Sequence, residues 1–243
     1  MNDKTETTAI EKAKPRAAAT THKRALQDQW KQMQAILPPN LDAGRFIAVA
    51  MLAIQRNEKL RDCSPTSFAL AVMQSAALGL EVGTESYLVP YGKQVQCQPG
   101  YQGLAKLALQ SGNVTDIWMD VIREGDDFEI VRGTNPDIRH TRRAPLGAEI
   151  LHAYCCSRST SGHVSFTVLD KDQLEKRRAK SMAKNSGPWS EWYEEMCMAK
   201  AVKAHAKLLP KSAMMNAAVA LHDATEMGRT IPITALVGGG DND

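Results

Sequence analysis

The spacing of hydrophobic residues changes twice along this chain, and that change limits the folds open to it. Near both ends apolar side chains recur every three or four residues, the period of an α-helix. In the middle the period drops to two. "GAEILHAYCCSRSTSGHVSFTVLD" sets Ile150, His152, Tyr154 and Cys156 against Leu151, Ala153 and Cys155, with Thr160-Ser161-Gly162 as the turn, so it reads as a hairpin. "SYLVPYGKQVQCQ" reads as an earlier hairpin turning near Gly92-Lys93, and "DIWMDVIREGDDFEIVRG" as a strand, a turn at Gly125 and a strand. Only "PGYQGLAKLALQSGN", closed by Gly112, interrupts the strands with a helix. Helices, a strand-rich centre and helices again predict an α+β protein.

The helices carry their own punctuation. Ser64 caps one that starts at Pro65 and stops before Gly79. Asp170, with Gln173 three residues on, has the pattern of a capping box opening "KDQLEKRRAKSMAK". Asp42 leads a helix through Phe46, Val49, Ala50 and Ala53, and an earlier helix through Leu26, Trp30, Met33 and Leu37 halts at Pro38-Pro39. A shorter helix is expected around Met214 to Leu221. Residues 1–25, rich in Thr, Ala and Lys, are expected to be a disordered tail, residues 26–211 the core, and residues 212–243 a short helix with a flexible end.

"NSGPWSEWYEEMCMAKAVKAHAKLLP" predicts a helix from Pro188 to Pro210 with two stripes. Trp189, Tyr193, Met196, Lys200, Lys203 and Lys207 fall on one, and Ala199, Val202, Ala206 and Leu209 on another suited to burial. Trp189 and Trp192 are expected to pack into the core at the helix entrance. His140 and His205 read as ordinary surface residues.

A chain of 243 residues suits one domain with extensions or two small ones. Its net charge of +3 is unevenly spread: residues 132–211 hold 15 Lys and Arg against 8 Asp and Glu, a net +7. One stretch could therefore face a polyanion. The five cysteines include no C-x-x-C pair, which reads as a reduced cytosolic protein without zinc. The longest apolar run, Phe46 to Ile54, is too short to span a bilayer, and the first residues lack the apolar core of a secretion signal, so a cytoplasmic protein without membrane contact is expected.

Familiar catalytic patterns are missing. There is no G-x-x-x-x-G-K-[ST], no G-x-G-x-x-G after a strand, no H-E-x-x-H, no G-x-S-x-G and no E-x-K pair of the metal-dependent nuclease type. The residues present suit single-stranded nucleic acid, which is held by cations along its phosphates and by planar side chains under its bases. "VRGTNPDIRHTRR", read as a loop, supplies Arg132, Arg139, Arg142 and Arg143. "KRRAK" supplies Lys176, Arg177, Arg178 and Lys180 from a helix, with Lys184 shortly after. Lys200, Lys203 and Lys207 follow, with Tyr193 in line, and Lys93 lies at the first hairpin turn. Arg123 either reaches a phosphate or pairs with Asp126 or Asp127 across its turn. A nuclease and a duplex-binding regulator are the rival readings; the helix ending at Gly79 lacks the basic or amide cluster that reads base edges.

Five blocks then resemble the RecT family of phage-type single-strand annealing proteins. They are "CSPTSFALAVMQSAALGLEVG", "SYLVPYG", "GYQGLAKLALQSG", "VIREGDDFE" and "SMAKNSGPWSEWYEEMCMAKAVKAHAKLLP", in family order from Cys63 to Pro210. The resemblance implies ATP-independent annealing of complementary single strands in recombination, carried out by rings or filaments of the protein, with no bond-making chemistry. It implies single-stranded DNA and an annealed duplex intermediate as ligands, with a partner exonuclease and the host single-strand-binding protein as partners. It leaves room for a magnesium effect on annealing but predicts no protein metal site. The fold it implies is a bent antiparallel sheet packed on a central helix, the one begun by "GYQGLAKLALQSG", flanked by helices at both ends. Tyr101, Gln102 and Lys106 then become candidates for a groove wall. Relatives often carry a basic residue at the place of Gln102, which implies either a weaker grip on DNA or reliance on the Arg139 to Arg143 segment.

Overall fold

The structure is a computed structural model that describes residues 19–31, 42–181, 184, 185, 187–210, 212–233 and 236. The expectations for Met33, Leu37, Pro38-Pro39 and both ends of the chain fall outside these residues. The chain divides into two compact units, Met1–Gly103 with Ala213–Asp243, and Leu104–Ser212.

In the first unit residues 19–31 form helix α1, so helix is present inside the stretch expected to be a tail. Helices α2 (Ala43–Arg56), α3 (Glu58–Arg61) and α4 (Pro65–Ala77) follow, then strands β1 (Ser86–Tyr91) and β2 (Gln94–Pro99). The caps are those the sequence predicts: the Asp42 carboxylate accepts from the Arg45 amide, and Ser64 accepts from the Ser67 amide with Pro65 beside it. Helix α4 is apolar on nearly every side and is buried from Ser67 to Ala76 except at Leu70, which is why its periodicity is weak. It packs on β2, where the Ser67 hydroxyl accepts from the Val95 amide at 3.0 Å.

Strands β1 and β2 pair antiparallel from Ser86↔Pro99 to Tyr91↔Gln94, and Gly92 takes a φ of 58° in the turn. Ser86, Leu88, Val95 and Cys97 face inward, leaving Tyr87 on the opposite face. Helix α5 (Tyr101–Gln110) begins directly after β2, and its first turn lies close against the start of β1, with the Gly100 amide donating to the Glu85 carbonyl at 2.8 Å. A Cβ on Gly103 would stand 2.3 Å from the Glu85 carbonyl oxygen, so only glycine allows this approach. Helix α9 (Ala213–Glu226), also in this unit, is longer than expected; its Thr225 hydroxyl donates to the Cys97 carbonyl at 3.0 Å.

The second unit holds strands β3 (Val114–Arg123), β4 (Asp127–Val131), β5 (Asp137–Thr141), β6 (Ile150–Ser159) and β7 (Val164–Asp170), then helices α6 (Lys171–Ala179), α7 (Pro188–Glu191) and α8 (Tyr193–Ala206). All pairings are antiparallel. Strands β3, β6 and β7 form one sheet in that order, and β4 pairs with β5 in a separate ribbon. The expected capping box at Asp170 and Gln173 is present. Three expectations need correction. "DIRHT" is strand β5, where a loop was expected. The helix over "KDQLEKRRAKSMAK" ends at Ala179. The helix lying along the three-stranded sheet is α8, where the resemblance implied the helix begun at Tyr101.

The two sheet faces are covered differently. Odd-numbered residues Val121, Ala153, Cys155, Ser157 and Leu169 lie toward α8, and even-numbered residues Ile122, Tyr154, Cys156 and Val168 lie toward the β4–β5 ribbon, whose Ile130 and Ile138 pack on them. The adjacent Cys155 and Cys156 thus point to opposite faces. All five cysteines are free thiols and buried.

His205 was expected on the surface; it is fully buried between α8 and the sheet, hydrogen-bonded to the Thr167 hydroxyl at 3.0 Å and the Ser157 hydroxyl at 2.9 Å. Burial lowers its pKa from 6.5 to about 4, so it folds as the neutral imidazole. The unfolded chain takes up a proton near pH 6.5 that the native state refuses. Stability is therefore complete above that pH and falls as pH drops toward 4, by up to about 1.4 kcal/mol per pH unit. His205→Gln should lower stability at pH 7.5 yet flatten this acid slope, as read from urea melts across that range.

Candidate nucleic-acid interface

The candidate cations fall into three structural settings. On the β4–β5 ribbon each exposed arginine but one already has an acid. The Arg139 Nε lies 3.0 Å from Asp137, with Glu129 at 4.0 Å; the Arg142 Nε lies 3.1 Å from Asp120; Arg143 pairs with Asp127. Arg132 is exposed and has no ion pair among the described residues. Exposed pairs of this kind are worth little, but they neutralise the charge that would attract a phosphate.

Arg123 belongs to the frame. It is 11% exposed, donates to the Ala148 carbonyl at 2.8 Å and pairs with Glu194 at the start of α8. Its backbone amide, with those of Arg143 and Ala144, donates to the Asp126 carboxylate at 2.8 to 2.9 Å. His140, expected on the surface, is 5% exposed and bridges Asp126 at 3.1 Å to the Tyr154 hydroxyl at 3.2 Å. Burial would raise the Asp126 pKa, but these donors outweigh it and hold the carboxyl well below the usual range. Asp126 thereby fastens the two ends of the ribbon to the β3 turn.

Helix α6 is the second setting. Leu174 anchors it, fully buried, beside β6, β7 and α8. Lys176 and Lys180 are exposed and Arg177 half-buried, its Nη1 donating to the Gln173 carbonyl at 3.1 Å. None of these three has an ion pair among the described residues. Arg178 is tied down instead. It lies 6.0 Å and 5.6 Å from the Trp189 and Tyr193 rings, donates to the Lys184 carbonyl at 2.9 Å and meets Glu175 at 3.5 Å. The Lys184 side chain is exposed.

The third setting is α8. The helix expected to run unbroken from Pro188 breaks at Trp192, whose φ of −133° and ψ of 52° are not helical. Trp189 is buried at 2% exposure and meets Tyr193 at a ring distance of 5.9 Å, whereas Trp192, expected in the core, is 59% exposed. Tyr193 is half-buried and donates its hydroxyl to Glu175 at 2.7 Å. Burial, and then this carboxylate, push its pKa far up, so it acts as a neutral donor. Lys200 and Lys203 are half-buried and Lys207 is exposed. The apolar stripe of Ala199, Val202, Ala206 and Leu209 is buried as expected.

In the first unit Lys93 is exposed at the β1–β2 turn. Tyr101 is half-buried and Gln102 exposed at the start of α5, with the Gln102 amide 3.4 Å from the Tyr101 hydroxyl. Lys106, further along α5 in the second unit, is half-buried. Tyr87, exposed on β1, has no place in the sequence reading of the site. For Tyr87 the clue was strand parity: it alternates with the buried Ser86 and Leu88.

Among the described residues no group of three His, Cys, Asp or Glu side chains is placed to hold a metal ion, and no helix is long and apolar enough to cross a membrane. The result is a mixed α+β protein with antiparallel sheets, whose cationic side chains are spread over helices and a ribbon. A profile of the RecT family matches residues 44–234, so the chain belongs to the RecT family. It is 33% identical over 204 residues to Protein RecT of Escherichia coli (strain K12), covering 79% of this chain and 76% of that protein. It is 31% identical over 87 residues to the uncharacterized protein YqaK of Bacillus subtilis (strain 168), covering 35% of this chain and 31% of that one.

Proposed function

We propose that this protein binds single-stranded DNA and anneals complementary strands without ATP, as an oligomer, in homologous recombination. Membership of the RecT family across most of the chain is the observation that carries this reading. Neighbouring copies would align their cationic surfaces, neutralise the phosphates of one strand and let a second strand test pairing. The work done is electrostatic: repulsion between strands falls and local concentration rises, while base pairing supplies the selection. The strands would come from a partner exonuclease and be exchanged with the host single-strand-binding protein.

The ion-pairing pattern ranks the candidates. Lys176, Arg177 and Lys180 can take a phosphate without giving up an acid, whereas Arg139, Arg142 and Arg143 must exchange one anion for another. Replacing the three α6 residues together with alanine should weaken binding of a labelled oligonucleotide and reduce its log–log salt slope by roughly 2, at about 0.7 for each phosphate no longer neutralised. Arg139→Ala should cost less. The function itself is tested by mixing complementary oligonucleotides with the protein in the absence of ATP. Faster duplex formation, and particles larger than a monomer on DNA, are expected. A monomer that leaves the annealing rate unchanged would refute the reading.

A further inference from the structure

We propose that Tyr87, with Tyr101 and Gln102 beside it, forms a seat for a single unpaired nucleobase. This rests on the nucleic-acid reading above and adds to it a place where a base is held, within the first unit. Tyr87 is 44% exposed, on the face of β1 turned away from the core. Its ring also lies against the backbone at Gly100. A Cβ on Gly100 would lie 2.8 Å from its Cε2 and 3.5 Å from its Cδ2, so the ring fills the space a side chain there would need.

The surroundings offer groups suited to a base. Burial, with the neighbouring Tyr101 phenol, raises the Tyr87 pKa, so the ring stays neutral. The Gln102 amide and the Tyr101 hydroxyl, in the helical turn that follows Gly100, supply donors and acceptors at 3.4 Å from one another. Gln98 lies opposite Tyr87 across the β1–β2 pairing. The nearby Glu85 carboxylate is occupied by the Glu81 amide at 2.8 Å. Aromatic and amide groups bind base faces and edges. A stacked duplex offers no free base face, so the seat selects single strands and must release its base when a complement pairs with it.

The test uses the full-length protein and two fluorescently labelled probes, an oligo(dT) and an abasic strand of equal length. Tyr87→Ala should bind oligo(dT) roughly tenfold more weakly with an unchanged salt slope, and Tyr87→Phe should recover most of the affinity. On the abasic strand wild type and Tyr87→Ala should bind alike. Equal binding of oligo(dT) by wild type and Tyr87→Ala overturns the seat. So does an equal loss on both probes, which would make the residue structural. A change in oligomer size without DNA, seen by sedimentation of Tyr87→Ala, would assign the ring to a contact between copies and also overturn it. If wild type binds neither probe, the nucleic-acid reading falls and the seat with it; if wild type binds and only the Tyr87 results fail, that reading stands.

Discussion

Gly103→Ala should destabilise the first unit by about 3 kcal/mol or more, at the upper end of what overpacking costs. The added methyl would meet the Glu85 carbonyl oxygen at 2.3 Å, its carbon at 3.1 Å and the Leu80 Cδ1 at 3.2 Å. Two of these are backbone atoms, and Glu85 is further held by the Gly100 amide. A rotamer change cannot relieve the clash, so α5 or β1 must move. Gly147 is the control, because a Cβ there meets nothing within 4 Å. Gly147→Ala should change stability by no more than about 0.5 kcal/mol. Urea denaturation of the two variants compares them directly, and equal midpoints would show that the close approach at Gly103 is absent in solution.

Asp126→Ala should cost about 3 kcal/mol or more and free the β4–β5 ribbon from the sheet. Three backbone amides and His140 would lose their common acceptor in a site where the carboxylate is 1% exposed. Removing an acceptor shared by four donors, most of them part-buried, is one of the few mechanisms that produces losses of this size. Amide exchange should accelerate first in the ribbon, from Asp127 to Thr141, with α8 still protected. Uniform acceleration would show that the carboxylate holds the whole unit together. The pH signs keep Asp126 apart from His205. A depressed carboxyl contributes fully above its unfolded pKa of 3.8 and is lost only in stronger acid. The loss expected between pH 6.5 and 4 therefore belongs to buried histidines, His205 foremost, with His152, whose pKa burial also lowers, adding in the same direction.

Local structure was legible in the sequence wherever one or two residues decide it. Ser64 with Pro65, Asp170 with Gln173, Gly92 and the Thr160-Ser161-Gly162 turn all act through backbone bonds within four residues. Partners far along the chain were not legible. Nothing near Arg142 reveals that its acid is Asp120, or that Arg123 reaches Glu194. Charge counting therefore gave the ribbon arginines the same weight as the α6 cations. The placement of α8 on the sheet was hidden for a related reason: its lysine stripe and its buried alanines gave two plausible faces, and only the three-stranded order of β3, β6 and β7 shows what the buried one meets. The two tryptophans show the limit of period. Trp189 and Trp192 look alike as aromatics at a helix entrance, but a single non-helical residue sends one inward and the other out.

The neighbouring thiols of β6 give this protein two built-in clocks. Cys155 and Cys156 are sealed on opposite sides of one sheet, and burial pushes both up to about 12, so neither reacts with a thiol reagent until its own cover lifts. The first reports the departure of the helix, the second the departure of the ribbon. Their separate modification rates, read by mass with and without an oligonucleotide, would reveal which layer breathes and whether an oligonucleotide slows either.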